Sequence, residues 1–297
     1  MKTFAVITRR NIKLFFKDKG MFFTSLITPV ILLVLYATFL GDIYRDSFTA
    51  NLPGGISISE KLLDGLVGGQ LISSILSVSC VTVAFCSNFL MVSDKALGTL
   101  KDFRVSPLAP SLLALSYYIA TLASTLIICF SASVICLCYL AVAGFYMSAL
   151  DVILLFLDMI LLVLFGTAAS SLVNFFLSSQ GQISAVGTIV SSGYGFISGA
   201  YMPISSFAEW LQRVISFLPG TYGTALLRCH AMRGAIAQMQ AEGVPEEAVE
   251  ALSDALDINL YFFENAVSVP AMYAVLCGAT AVLIAAYVLL NKFKKVR

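Results

Sequence analysis

Six apolar runs, each long enough to cross a lipid bilayer as a helix, constrain this chain more than any other feature. They fall at roughly 22–40, 66–92, 112–143, 150–176, 183–200 and 268–290, and a hydrocarbon core about 30 Å thick needs about 20 mostly apolar residues. Only helices and closed barrels satisfy their own backbone in lipid, so runs of this length predict an all-α integral membrane protein with six transmembrane helices. Charged residues make up 12% of the chain and apolar residues 59%, where soluble domains carry about 25% charge. So little charge could not cover a water-facing surface. The net charge of +1 gives no reason to expect nucleic acid as a partner. The first run follows a basic leader. It is longer than the roughly 7–15-residue core of a secretory signal, and no small-residue cleavage site follows, so it is expected to be retained.

Basic residues give the spans a direction, because cytoplasmic segments hold the excess of Lys and Arg. With both termini inside, the inner segments carry Lys2, Arg9, Arg10, Lys13, Lys17, Lys19, Lys95, Lys101, Arg104, Lys292, Lys294, Lys295 and Arg297. Only Arg45, Lys61, Arg213, Arg228 and Arg233 fall outside, and of the acids only Asp18, Asp94 and Asp102 lie inside. The expected location is the cell membrane, as a multi-pass protein of a bacterial cytoplasmic membrane. Six of the seven cysteines lie within apolar runs and read as small packing residues.

The segments on the inner side are short and amphipathic. At 100° per residue, Arg9, Arg10, Lys13 and Lys17 fall on an arc about 100° wide, opposite Phe4, Ile7, Ile12, Leu14 and Phe15. Residues 1–20 therefore suit a helix in the inner headgroup layer, either a topology anchor or a lever beside a cytoplasmic partner. The inner loop 92–110 reads VSDKALGTLKDFRVSPLAP. Ser93 or Asp94 can cap a short helix there, with Leu97, Leu100 and Phe103 as its apolar face. Pro107 and Pro110 close it. A helix of that kind is either an ordinary interfacial loop or one that docks into a partner's groove.

Here the chain resembles the ABC-2 type transporter permeases. Their inner loop carries a charged pair, then Gly-Thr-Leu, then Ser/Thr-Pro-Leu. The matching residues are Asp94-Lys95, Gly98-Thr99-Leu100 and Ser106-Pro107-Leu108. The family more often has an Arg-Glu-type pair at the first place, which leaves open which residue makes the polar contact to an ATPase. A second match, SGAYMPISSFAEWLQRVISFLPGTYGTALLR, puts Ser198-Gly199, Pro203, Trp210, Pro219, Tyr222 and Arg228 where the family has its small pair, prolines, aromatic helix, Tyr and Arg. A proline common before the Trp is Ala208 here.

The resemblance implies one transmembrane domain over 1–297, half of a homo- or heterodimer. It also implies an interfacial helix over 1–20, a coupling-helix loop over 92–110 and an outer gate and cap over 201–267. Two cytoplasmic ATPase subunits would dock on the coupling helix, with Asp94, Lys95, Gly98, Thr99, Leu100, Phe103 and Arg104 as the contact, and on the leader. Pro203, Trp210, Pro219, Tyr222 and Arg228 would form the outer gate. Cargo in that family is usually exported and is a drug, peptide, lipid or glycan. The chain has no GxxxxGK[ST] phosphate loop, so this polypeptide is expected to bind no cofactor and to catalyse nothing alone. Mg-ATP would sit on the partner subunits.

Several residues are candidates for the transport path. Gly187, Ser191, Gly195 and Gly199 repeat every four residues, a stripe that serves close packing within the chain, the wall of a path or the dimer seam. Ser73, Ser74, Ser77 and Ser79 could face the same space. Asp158 is the one acid well inside a run. It would be about 13 Å deep at 1.5 Å per residue if its helix enters near Ala149, and a carboxylate there faces protein or water. Its role is either cargo-path or structural pairing. His230, the only histidine, reads as structural. Beyond the fifth run, Pro203 and Pro219 suggest re-entrant helices, tolerated only when packed on protein. VPEEAVEALSDALDINLYFF then suggests a solvated amphipathic helix with Val249, Leu252 and Leu256 on one face. Two rivals remain: an ion-coupled secondary transporter, which would need more buried ionisable groups, and a membrane enzyme, for which no catalytic constellation is present.

Overall fold

The computed structural model describes residues 2–50, 58–100, 103, 109–263 and 265–293. It is built almost wholly of helices. Helix α1 (Lys2–Lys17) is the amphipathic leader. Asp18 then caps α2 (Lys19–Leu35) by accepting from the backbone of Met21. Through a π-helical turn at Tyr36–Leu40, α2 continues into α3 (Gly41–Ala50). Next come α4 (Glu60–Ala96), capped by Ser59, and α5 (Pro110–Ala143), with proline at its first position, where the missing N–H costs nothing. Capping boxes start α6 (Ala149–Phe176; Ser148 with Asp151) and α7 (Gln180–Ile197; Ser179 with Gln182). The outer segment holds a 3₁₀ turn (Ile204–Ser206), α8 (Glu209–Ile215), α9 (Pro219–Ala241), α10 (Glu246–Ala255) and a two-stranded hairpin, β1 (Tyr261–Phe262) with β2 (Asn265–Ala266). Helix α11 (Val269–Phe293) ends the described chain.

Helix α4 is the axis of the molecule. It is buried along almost its whole length and packs against α2, α5, α6, α7 and α9. Small residues make this possible, as expected where helices gain nothing from hydrophobic exclusion by lipid. A Cβ at Gly166 of α6 would lie 2.9 Å from the carbonyl oxygen of Cys80, and one at Gly69 of α4 would lie 3.0 Å from that of Ala231 on α9. Both helices touch α4 backbone to backbone.

Five helical stretches among the described residues are long and apolar enough to cross a membrane: Lys19–Asp46, α4, α5, α6 and α11. A helix also forms at the fifth run. However, Gln180, Gln182 and four serines and threonines make α7 less apolar than the others, so length and composition support five spans, not six.

The inner loop also departs from expectation. Ser93 and Asp94 do not cap a new helix but lie in the last turn of α4, which stops at Gly98 in the left-handed region (φ 82°). Thr99, Leu100 and Phe103 are helical. Leu97 turns outward, 77% exposed, while Leu100 and Phe103 pack on Ile7, Met91, Leu113 and Tyr117, so the three do not share one face. Arg104, Ser106, Pro107 and Leu108 lie outside the described residues.

In the outer segment Pro203 and Pro219 start elements and interrupt none. The long α9 is largely buried against α4, α6 and α11. The amphipathic helix α10 forms as expected, with Val249, Leu252 and Leu256 buried.

Candidate transport groove and coupling face

The last turn of α4 gathers one end of the bundle. Asp94, nearly buried, accepts from Nη1 and Nη2 of Arg10 at 2.7 and 3.2 Å and from the Tyr117 hydroxyl at 2.5 Å. It thereby ties α1 and the start of α5 to α4. The bond to Asp94 holds the Arg10 guanidinium above its ordinary value. Arg10 also lies over the Phe103 ring, 5.3 Å from its centre. Next in sequence, Lys95 donates to the carbonyls of Asn174, Phe175 and Leu177 at 2.8, 2.9 and 3.2 Å. There a cation meets the last carbonyls and the negative dipole end of α6. Ser93 accepts from Gln180 of α7 at 3.2 Å. Three consecutive residues thus reach α7, then α1 and α5, then α6. Of the leader's basic arc, Arg9, Lys13 and Lys17 are exposed and Arg10 turns inward.

Between α2 and α7, floored by α4, runs a cleft of about 1020 Å³. Ile27, Ile31 and Leu35 line one wall and Gly187, Thr188 and Ser191 the other, with Phe89 at its base. Ile27 and Ile31 are half exposed, so the cleft opens sideways. The stripe of small residues divides here. Gly187 and Ser191 line the cleft. A Cβ at Gly195 would fall 2.3 Å from the Tyr201 ring, and Gly199 lies past the helix end in the left-handed region (φ 72°). The α4 serines do not face this space. Ser74 accepts from Tyr36 at 3.1 Å, Ser77 meets Thr224 at 2.5 Å, and Ser73 and Ser79 bond to their own helix.

Asp158 belongs to a third cluster. Its carboxylate meets His230 Nδ1 of α9 at 2.6 Å and accepts from the Tyr273 hydroxyl of α11 at 2.5 Å. Its helix starts at Ala149, and Asp158 is about 13 Å along it from that end. The other end of α6 is marked by the bond from Lys95 to Asn174, and Asp158 is about 24 Å away along the helix. Ser77 and its partner Thr224 are at a similar height, about 27 Å from Lys95 along α4, and α9 runs on from there away from Lys95. Asp151 and Arg233 pair one level higher.

Of the expected gate residues, Arg228 is fully buried and donates to the carbonyls of Leu256 and Gly199, both at 2.7 Å, with Asp257 at 3.5 Å. Asp257 also accepts from the backbone of Ile204 at 2.6 Å. Burial pushes the Asp257 carboxyl up, opposed by Arg228. The Tyr222 hydroxyl donates to Ser216 at 2.6 Å. Trp210 stands apart, 67% exposed on α8. Sequence reasoning missed Tyr117 and Tyr273. Tyr273 is a lone hydroxyl within an apolar run, which is a signal, whereas Tyr117 sits between Ser116 and Tyr118 and nothing singles it out.

A family model described as ABC-2 type transporter matches residues 2–229, well over half of the chain. No curated protein matches it.

Proposed function

Because this chain belongs to the ABC-2 type transporter family, and so is a transmembrane subunit of an ABC-type transporter, we propose that it is one half of an exporter dimer driven by separate ATPases. In this reading α7 is the sixth span, both termini are cytoplasmic, and residues 1–297 form one domain. Residues 92–110 receive the ATPase, with the exposed Leu97 and the exposed basic face of α1 toward it. The Ser93–Asp94–Lys95 turn carries the reading. It bonds to four other helices at the foot of the one helix that touches nearly all the rest, so a push on the coupling segment moves the inner bundle as a unit. The sideways cleft between α2 and α7 suits closure by a second permease copy, which makes it the path for an amphiphilic cargo: a drug, peptide, lipid or glycan. Mg-ATP belongs to the ATPase partners.

The test is reconstitution with the partner ATPase. Replacing Leu97 by Asp should leave the chain inserted and ATP hydrolysed while transport falls several-fold. Unchanged transport would refute the coupling assignment. The buried Asp158–His230 pair is the observation that favours an ion-coupled transporter. Its groups are bonded to one another in the outer half and do not line the cleft. Transport that persists without ATP and collapses with the proton gradient would establish that rival.

A further inference from the structure

The outer face carries a second cavity, of about 700 Å³, between α8 and the β-hairpin. That is within the roughly 300–1,000 Å³ of small-molecule sites. We propose that it binds the headgroup of a zwitterionic, amine-bearing phospholipid of the outer leaflet. The inference rests on the orientation given above, but not on what is exported.

Its lining has both charges such a headgroup needs. Glu209 and Asp254 offer carboxylates, and Arg213 offers a guanidinium, the group best matched to a phosphate. Glu209 and Arg213 are 3.9 Å apart and largely exposed, so their mutual pair is weak and open to exchange for a ligand. Asn259 and Tyr261 donate to Asp254 Oδ1 at 2.8 and 3.1 Å and fix its carboxylate in place. Phe263 supplies a ring that already has a cation over it, Arg213 at 6.0 Å. An ammonium group can use the same face.

The rim explains why the ligand is a lipid. Phe263 lines the cavity, Trp210 and Val214 stand on α8, and Phe217 follows just past its end; each of the four is more than half exposed. Phe217 packs edge-on to Phe262 and Phe263 at 5.3 and 6.1 Å. Phe263 is held with φ at 55°, a conformation that costs a non-glycine residue about 1–2 kcal/mol and keeps its ring at the rim. The height is right as well. Ile215, the end of α8, accepts from Thr221, about one turn from the Thr224 that meets Ser77, which the proposed orientation puts near the outer boundary. Aromatic side chains concentrate at that boundary. A polar pocket with an apolar lip at the outer boundary matches a headgroup with its chains still in the leaflet.

Trp210 is the only tryptophan and reports on this rim. The full chain, in vesicles of unlabelled phosphatidylglycerol, is given equal small fractions of phosphatidylethanolamine or phosphatidylglycerol carrying bromine on the acyl chains. The ethanolamine lipid should quench Trp210 several-fold more strongly. That preference should vanish in the Arg213→Gln/Asp254→Asn variant, and also in Arg213→Gln alone, whose exposed side chain leaves the fold intact. Equal quenching, or a preference that survives both variants, overturns the headgroup site. No quenching by either lipid means that protein covers the rim, and also overturns it. A response to soluble glycerophosphoethanolamine as strong as to the lipid overturns the lipid assignment. Labelling a cysteine placed at Ser205 with a membrane-impermeant maleimide checks the orientation separately.

Discussion

Breaking the Arg10–Asp94 pair from each side should give unequal losses that do not add. Removing one partner of a buried ion pair costs about 3–5 kcal/mol because the other charge is stranded. Here the two sides differ: the Arg10 side chain keeps 30% of its exposure and Asp94 only 7%. Asp94→Ala leaves a guanidinium that water can reach and a Tyr117 hydroxyl without its acceptor, a loss of about 2 kcal/mol. Arg10→Ala leaves the more buried carboxylate with Tyr117 as its remaining donor from this cluster, a loss of about 3 kcal/mol. The double variant strands no charge and leaves only the Tyr117 hydroxyl without its acceptor, so it should cost about 1–2 kcal/mol less than the sum. The measurement is unfolding of the full chain in mixed detergent micelles, followed by helical circular dichroism. Additivity within about 0.5 kcal/mol, or a larger loss for Asp94→Ala than for Arg10→Ala, would refute the account of a shared buried bond.

Lys95→Met should keep the packing of the stem but leave three carbonyls at the end of α6 without their charged donor. The expected loss is about 2–3 kcal/mol in the same unfolding assay, with faster hydrogen exchange confined to the last turn of α6. Gly195→Ala should cost about 1–3 kcal/mol by overpacking against Tyr201, and Tyr201→Leu in the same chain should recover most of it. Asp257 has a carboxyl raised by burial, so its contribution is full below the unfolded value of about 3.9 and is lost as pH rises through the raised folded value. Asp257→Asn should remove that decline, read as a flatter dependence of unfolding midpoint on pH above about 4.

The sequence made the apolar helices legible, because a run of about 20 apolar residues has few alternatives in lipid. Helix α10 was legible for the complementary reason: its apolar positions recur at helical spacing in a polar stretch. What could not be read was which polar residues meet. Asp158, His230 and Tyr273 are 72 and 43 residues apart in the chain, and nothing local marks them as partners. His230 in particular looked isolated because its neighbours in sequence are not its neighbours in space. The loop 92–110 misled for a different reason. Ser93-Asp94 has the composition of a helix cap, but α4 had enough buried surface to continue through it, and tertiary packing outweighed a capping preference of about 1 kcal/mol.

That continuation has a mechanical consequence. Had Ser93 and Asp94 capped a separate helix, the inner loop would hang from α4 by a flexible joint, and force on it would be absorbed at the joint. Instead α4 is helical to Ala96, and within three residues of its end it makes side-chain bonds to each of α1, α5, α6 and α7. The first backbone break is Gly98, where φ is 82° and a Cβ would meet nothing within 4 Å. The joint therefore lies below the bonded turn, not above it. Gly98→Ala adds no clash but forces a side chain into the left-handed region, at about 1 kcal/mol. If the joint must flex during the cycle, that substitution should slow transport more than it lowers stability. If it is only a helix stop, the two should fall together.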